Sequence, residues 1–254
     1  MNKIGTRALW ILLVVAAGCA GAFAQGMYWE STVTSDKMEG SELMKTWYMP
    51  KMLKIQTGKG TDYSILRLDQ EMMYLVKPDK EVYATMTFAE MEEGMKAAGA
   101  QMEKMQEQMK DMPVEQREMM EKMLGKSMEK PKAKPLLRKI PEAKMSGTFK
   151  CSRYTIMRGT DQVAEMWVTK DVKGFDAMRN DLKVFSKRMT SMNPAMGGDL
   201  AAAMENIDGF PMESTMAGIK TVITKIEPKA SSPAEFQVPK DYKKVDMKDL
   251  GEAR

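Results

Sequence analysis

The side chains that most often do chemistry are scarce in this chain, and their scarcity comes first. There is no histidine, which removes Ser-His-Asp and Cys-His triads, the common zinc signatures and the usual proton shuttle near neutral pH. Asp and Glu are spread along helix-like faces and turns with no motif that singles out a pair for acid-base work, so they read as solvated charge. Gly58-Lys59-Gly60 lacks the spacing of a phosphate-binding loop and reads as a turn. Cys151 lies near Lys150 and Arg153, which would lower its pKa if both approached the sulfur. Alternation along a strand sends those neighbours partly to the other face, and a buried structural thiol is the expectation.

The methionines remain, 30 of them in 254 residues. Thioethers are soft ligands suited to Cu(I), and Met102 with Met105, Met109 with Met112, and Met120 with Met123 each stand one helical turn apart. Against a metal stands the wider pattern. Phe88, Met91, Met95, Ala98, Met102, Met105, Met109 and Met112 recur at the 3.5-residue period of one helical stripe, which is what packing requires of unbranched, adaptable side chains. The stripe is therefore expected to pack, with no metal, no cofactor and no catalytic residue. A soft-metal protein using the Met-rich segment is the alternative.

The elements that carry these residues are organised on a meander at residues 62–86. Tyr63, Ile65 and Arg67 alternate with Ser64, Leu66 and Leu68, the period of a sheet with unlike faces. Asp69-Gln70-Glu71 interrupts it, Met73 to Val76 resumes it, Lys77-Pro78-Asp79-Lys80 turns it, and Val82-Tyr83 begins the return strand. Before the meander, Met27 to Val33 and Glu42 to Thr57 read as strand, with Pro50 bending the second. After it, Phe88 to Gly125 reads as a helical hairpin: Pro113 opens a second helix through Met119, Met120 and Met123, and Gly125 closes it. The Met-rich insertion is thus placed at 87–128 and a Pro/Lys-rich linker or extended edge at 129–145. Sheet returns at Thr148–Met157 and Gln162–Thr169, helix at Gly174–Met189 and Leu200–Asn206, and sheet at Phe210–Ala217 and Ile219–Ile226. A closing segment with Phe236, Val238 and Tyr242 is expected to dock before a charged tail.

The first 24 residues read as a secretory signal peptide. Lys3 and Arg7 precede an apolar run from Ala8 to Ala17, and Ala22-Phe23-Ala24 supplies small residues before Gln25. Ala16-Ala17-Gly18-Cys19 offers a second route, lipid anchoring through Cys19, which the complete Ala-x-Ala site outcompetes. Cleavage leaves a near-neutral chain with Cys151 as its only thiol, which gives no reason to expect nucleic acid and no internal disulfide. Residues 25–254 are expected to form a single domain in the periplasm or outside the cell.

Several groups of residues carry a family likeness: Ile65-Leu66-Arg67-Leu68-Asp69 with Met73-Tyr74-Leu75 and Tyr83; Tyr154 through Trp167-Val168-Thr169-Lys170-Asp171; Gly209-Phe210-Pro211; and Phe236-Gln237-Val238-Pro239 with Tyr242-Lys243-Lys244. With these, and with Pro113-Val114-Glu115-Gln116-Arg117, the chain resembles a family of exported bacterial proteins related to the lipoprotein-carrier (LolA-like) superfamily. That resemblance implies an α+β fold: a strongly curved antiparallel sheet, an incomplete β-barrel, with helices covering one face and holding acyl chains or other apolar cargo. It carries over no catalytic residue. The expected function is non-enzymatic binding or carriage of a lipid, acyl chain or lipoprotein, with an envelope structural module as a further alternative. Phe88, Met91, Met95, Met102, Met105, Met109, Met112, Met119, Met120 and Met123 are the expected cover over the ligand. The lysine-rich stretch after them could approach an anionic membrane surface.

Overall fold

Two meanders joined at their outer strands make one twelve-stranded sheet. The computed structural model describes residues 25–36, 39–58, 60–110, 112, 113, 116, 133–192 and 198–252. In the first meander β1 (Gln25–Ser35), β2 (Ser41–Met49), β3 (Met52–Thr57), β4 (Tyr63–Arg67), β5 (Met72–Lys77) and β6 (Val82–Thr87) pair antiparallel in sequence order. The second runs β7 (Pro135–Ser146), β8 (Phe149–Arg158), β9 (Asp161–Thr169), β10 (Phe210–Met216) and β11 (Ile219–Ala230). β11 then pairs with β1 from Gln25↔Ala230 to Ser35↔Ile219, so the two halves share one hydrogen-bonded ladder. Short β12 (Lys243–Lys244) adds to β6 in parallel, making the sheet mixed, and the sheet stays open with β7 and β12 at its edges.

Turn chemistry follows the residues. Pro50 and Lys51 link Met49 to Met52, with Lys51 at φ 64°, the signs of a turn that wants Pro first and a left-handed residue second. Ala217 and Gly218 both have positive φ, 51° and 77°, which matches the twist of a two-residue hairpin between β10 and β11.

Alternation gives the sheet two apolar faces. On the first, α2 (Phe175–Met192) packs Met178, with Phe175 and Leu182, against Met27, Tyr48, Leu53, Cys151, Trp167, Phe210 and Met212. Phe210 sits edge-on to both Trp29 (5.8 Å) and Phe175 (5.4 Å), which pins β1, β10 and α2 together. On the second face, α3 (Gly198–Met204) covers Tyr154, Ile156, Ala164, Met166 and Val168 through Leu200 and Ala203. The closing segment covers Met49 and Ile65 with Phe236, and α4 (Met247–Glu252) lies beside β6.

One expectation is corrected here. Helices cover both faces rather than one. The reason is visible in β8 and β9, where Tyr154-Thr155-Ile156 and Met166 to Thr169 are buried consecutively, so both sides need a cover. Of the two readings of the Pro/Lys-rich stretch, linker or extended edge, the structure has the second from Pro135 on: residues 135–146 form β7, paired with β8 along its length. Its prolines fit an edge strand, Pro135 at the first position and Pro141 inside the register shift between Ile140 and Ala143, where a missing N–H breaks no ladder bond. Of the expected helical hairpin, the first arm is α1 (Phe88–Lys110), while the second, with Met119, Met120 and Met123, lies outside the described residues.

Candidate functional site

The meander's register assembles an apolar floor on the first face. One row crosses β1 to β6 as Met27, Tyr48, Leu53, Leu66, Met73 and Met86, each directly opposite the next. The neighbouring row reads Trp29, Thr46, Ile55, Ser64, Leu75 and Ala84. Burial changes along the first row. Met27, Tyr48 and Leu53 are 4%, 3% and 9% exposed beneath α2, whereas Leu66, Met73 and Met86 are only half-buried. Among the described residues, the cover over the β4–β6 side of this floor is therefore incomplete.

Helix α1 follows directly from β6. Thr87 caps it reciprocally: the Glu90 carboxylate accepts from the Thr87 backbone N–H (2.7 Å) and hydroxyl (2.9 Å), and Thr87 Oγ1 accepts from the Glu90 N–H. These bonds, the backbone one foremost, hold the Glu90 carboxyl below its ordinary pKa. Thr87-Phe88-Ala89-Glu90 is a capping-box sequence, a signal that periodicity alone passed over. Phe88 is buried and its ring lies 5.1 Å from that of Phe185 on α2. Beyond it, Met91, Met95, Met105 and Met112 are half-buried and Met109 is 6% exposed, but Ala98 is exposed. The stripe thus faces inward at most of the expected positions. The side chain of Met102 lies outside the described residues.

What fixes the helical cover to the sheet is Asp181, which no sequence signal marked. Its Oδ2 accepts from the Tyr48 hydroxyl (2.9 Å) and from the Lys51 backbone N–H (2.7 Å), bridging α2 to the β2–β3 hairpin. Asp181→Ala is expected to cost about 2 kcal/mol in urea unfolding, because the buried Tyr48 hydroxyl loses its partner, whereas Tyr48→Phe should cost about 1 kcal/mol. The double variant should fall short of the sum, and full additivity would disprove the bridge.

Burial and the hydrogen bond to Asp181 push the Tyr48 pKa well above that of a free phenol, and burial with Glu30 does the same to Tyr28. A raised folded-state pKa means a stability contribution present in full below the unfolded value near 10, and lost as pH rises from there towards the folded values. Urea midpoints should therefore hold up to about pH 9.5 and then drop. In Tyr48→Phe the drop should be smaller.

Cys151 is fully buried, its Sγ donates to the Phe149 carbonyl, and burial pushes its pKa up, Glu213 adding to the effect. Arg153 does not serve it: its guanidinium bridges Glu142 (2.7 Å) and Glu165 (2.6 Å). The thiol is structural, as its strand position implied. Among the described residues no group of three or more His, Cys, Asp or Glu could hold a metal ion, and no helix is long and apolar enough to cross a membrane.

The second face of the same meander is built differently. Tyr28 and Trp47 pack at 5.1 Å, Tyr74 and Tyr83 at 6.4 Å, and Lys54 lies over the rings of Tyr63 (4.0 Å) and Trp47 (5.6 Å). Lys229 bridges Tyr28 and Trp47 from β11. Burial lowers the Lys54 pKa, with Glu235 opposing and Lys229 reinforcing that shift. These are cross-strand contacts that stabilise the sheet. Charge and aromatic rings are thereby gathered on the face opposite the apolar floor.

Residues 67–242 match the model of a family described as Domain of unknown function (DUF4412). No curated protein matches the chain. Among solved structures, that of PNGF-II in a C2 space group aligns over 90% of this chain and 32% of that one, at 9% identity and a TM-score of 0.39. This chain therefore spans about a third of that protein's length.

Proposed function

This chain belongs to the DUF4412 family, whose description states no activity, and from that premise we propose that it is a non-enzymatic, exported carrier or binding protein for a lipid, acyl chain or other apolar ligand. One observation carries the reading. The row from Met27 to Met86 goes from buried to half-buried as it leaves α2, and the helix beside it presents Met91, Met95 and Met105, also half-buried. Unbranched thioethers on floor and cover can repack around an acyl chain more readily than Leu or Ile.

A strongly curved sheet of the lipoprotein-carrier type agrees with the packing. β3 and β8 are six strand spacings apart, about 29 Å in a flat sheet, yet Leu53 and Cys151 belong to one cluster around Met178. Export follows from the signal peptide at 1–24, which lies outside the described residues. The exposed Arg138 and Lys139 on β7 supply a basic edge for an anionic membrane during loading or delivery.

Fluorescence of the neutral dye N-phenyl-1-naphthylamine, with mass spectrometry of the natively purified protein, tests the reading. Micromolar dye binding displaced by apolar chains is expected, and Met73→Glu should weaken it at least tenfold, since an ionised carboxylate in the floor must be desolvated by the ligand. Absence of both dye binding and co-purified apolar compound would overturn the proposal. Stoichiometric Cu(I) in its place would favour the thioethers as ligands.

A further inference from the structure

The described methionines separate by depth. Met27, Met166, Met178 and Met212 are buried in the core, whereas Met145, Met204 and Met216 are exposed. Between these extremes stand Met73 and Met86 on the floor and Met91, Met95 and Met105 on α1, all half-buried. Solvent reaches part of each. Met73 lies directly between Leu66 and Met86, and from β1 to β6 neither floor row carries Asp, Glu, Lys or Arg. Helix α1 lies against β6 and α2, with buried anchors near its two ends, Phe88 and Met109, and the half-buried thioethers between them.

The usual competitor for an oxidant is out of reach. Exposed thiolates are the side chains that peroxides attack first, but Cys151, the only cysteine among the described residues, is fully buried and its Sγ donates to the Phe149 carbonyl. We propose that Met73, Met86, Met91, Met95 and Met105 form a reversible oxidation site for small two-electron oxidants such as hydrogen peroxide, and that their sulfoxides undock α1 from the sheet and empty the apolar site. The emptying rests on the ligand reading above. In the reaction the thioether sulfur takes one peroxide oxygen, the O–O bond breaks, and the other oxygen leaves as water, so that sulfur is oxidised by two electrons and the peroxide reduced by two. The new S=O group is a strong hydrogen-bond acceptor. On Met73 it faces apolar side chains across both neighbouring strands, and it is satisfied only by water admitted between floor and helix. Buried Cys151 cannot reverse the step. A separate thiol-dependent methionine sulfoxide reductase supplies the two electrons, its thiols ending as a disulfide and the oxygen as water.

Hydrogen peroxide in graded doses, removed with catalase before each reading, tests the inference on the purified protein. Peptide mass mapping should find sulfoxide first at Met145, Met204 and Met216, next at the five proposed residues, and last at Met27, Met166, Met178 and Met212. Hydrogen exchange over residues 88–110 should quicken by about tenfold with the second wave and not with the first, while exchange in β8 and β9 stays as it was. Affinity for N-phenyl-1-naphthylamine should fall by about tenfold over the same doses, and sulfoxide reductases for both epimers, with dithiothreitol, should restore both readings. A variant with all five residues replaced by Leu, a swap that keeps volume and apolarity, should hold its own exchange rate and dye affinity through those doses. The inference is overturned if the five oxidise no faster than the buried four, if exchange over 88–110 is unchanged once they are oxidised, or if the change comes with the first wave. A Leu variant that responds as the parent does overturns it too, as does loss of protection throughout the sheet, which is unfolding and not undocking. An unoxidised parent that binds no dye removes the ligand reading, and exchange over 88–110 then decides the undocking by itself.

Discussion

Phe236→Ala is expected to lower the free energy of unfolding by about 3–5 kcal/mol, the usual cost of removing a buried phenyl ring and leaving its cavity. Phe236 is 0% exposed and is packed with Met49 and Ile65, with Trp47, Met52, Tyr63 and Tyr74 around them. It is the anchor of a segment that otherwise touches the sheet lightly. Pro233–Phe236 forms a single 3-10 turn closed by reciprocal Ser232 and Glu235 bonds, and the Phe236 carbonyl accepts from Arg67 Nη1 at 3.4 Å. Once the ring is lost, the parallel pairing of Lys243 and Lys244 with β6 is left to α4 and its buried Leu250. Urea unfolding should show the lower midpoint. Val184→Ala, at a position 73% exposed, should change stability by less than about 0.5 kcal/mol. A cost below about 1 kcal/mol for Phe236→Ala would mean that the closing segment does not hold the second face.

Gly209→Ala should be as damaging, by a different route. Gly209 has φ 134°, and a methyl group there would stand 2.4 Å from the Thr169 carbonyl oxygen and 2.8 Å from Val168 Cγ1. The first of those atoms belongs to the backbone of β9, which is held between β8 and β10, and the residues it pairs, Thr169 and Phe210, are 1% and 2% exposed. Neither side can give way. Conformational strain of about 1–3 kcal/mol combines with the clash, for a total of roughly 4 kcal/mol or a failure to fold. Gly40 separates the two causes: its φ is 88° with nothing within 4 Å of an added methyl, so Gly40→Ala should cost only the strain, about 1 kcal/mol. If both variants melt together, close packing of β10 on β9 is not what requires Gly209.

Both residues belong to sequence groups that carry the family likeness, but the physical reasons for them do not show in the sequence. Phe236-Gln237-Val238-Pro239 could be read as an aromatic anchor because an apolar ring among polar and proline residues has little other use. That it fills the space over Ile65, 171 positions earlier, depends on the sheet's second face being free there, which follows from β11 joining β1. The capping box at Thr87 to Glu90 is a local signal that the periodicity of the stripe did not reveal. Asp181 looked like any solvent-facing acid between basic neighbours. Its bond to Tyr48 spans 133 residues and leaves no trace in spacing.

Local chemistry determined most of the strands, because a period of two, a proline at a turn and a pair of turn residues act within a few neighbours. It also settled the structural role of Cys151 and the inward stripe of α1, since the periodicity that places a side chain on a face is carried by the chain itself. The absence of histidine also removes the His-based triads and the common His-containing zinc signatures. Tertiary structure decided what local periodicity cannot encode: which faces meet which covers. It chose edge strand over linker for the Pro/Lys-rich stretch, because β8 had an unpaired edge and a prolyl residue at a bulge interrupts no bond. It set helices on both faces, because β8 and β9 are buried on both. And it aligned Met27, Tyr48, Leu53, Leu66, Met73 and Met86 from six strands in one apolar row, since register is fixed by the pairing of distant segments and not by any one of them.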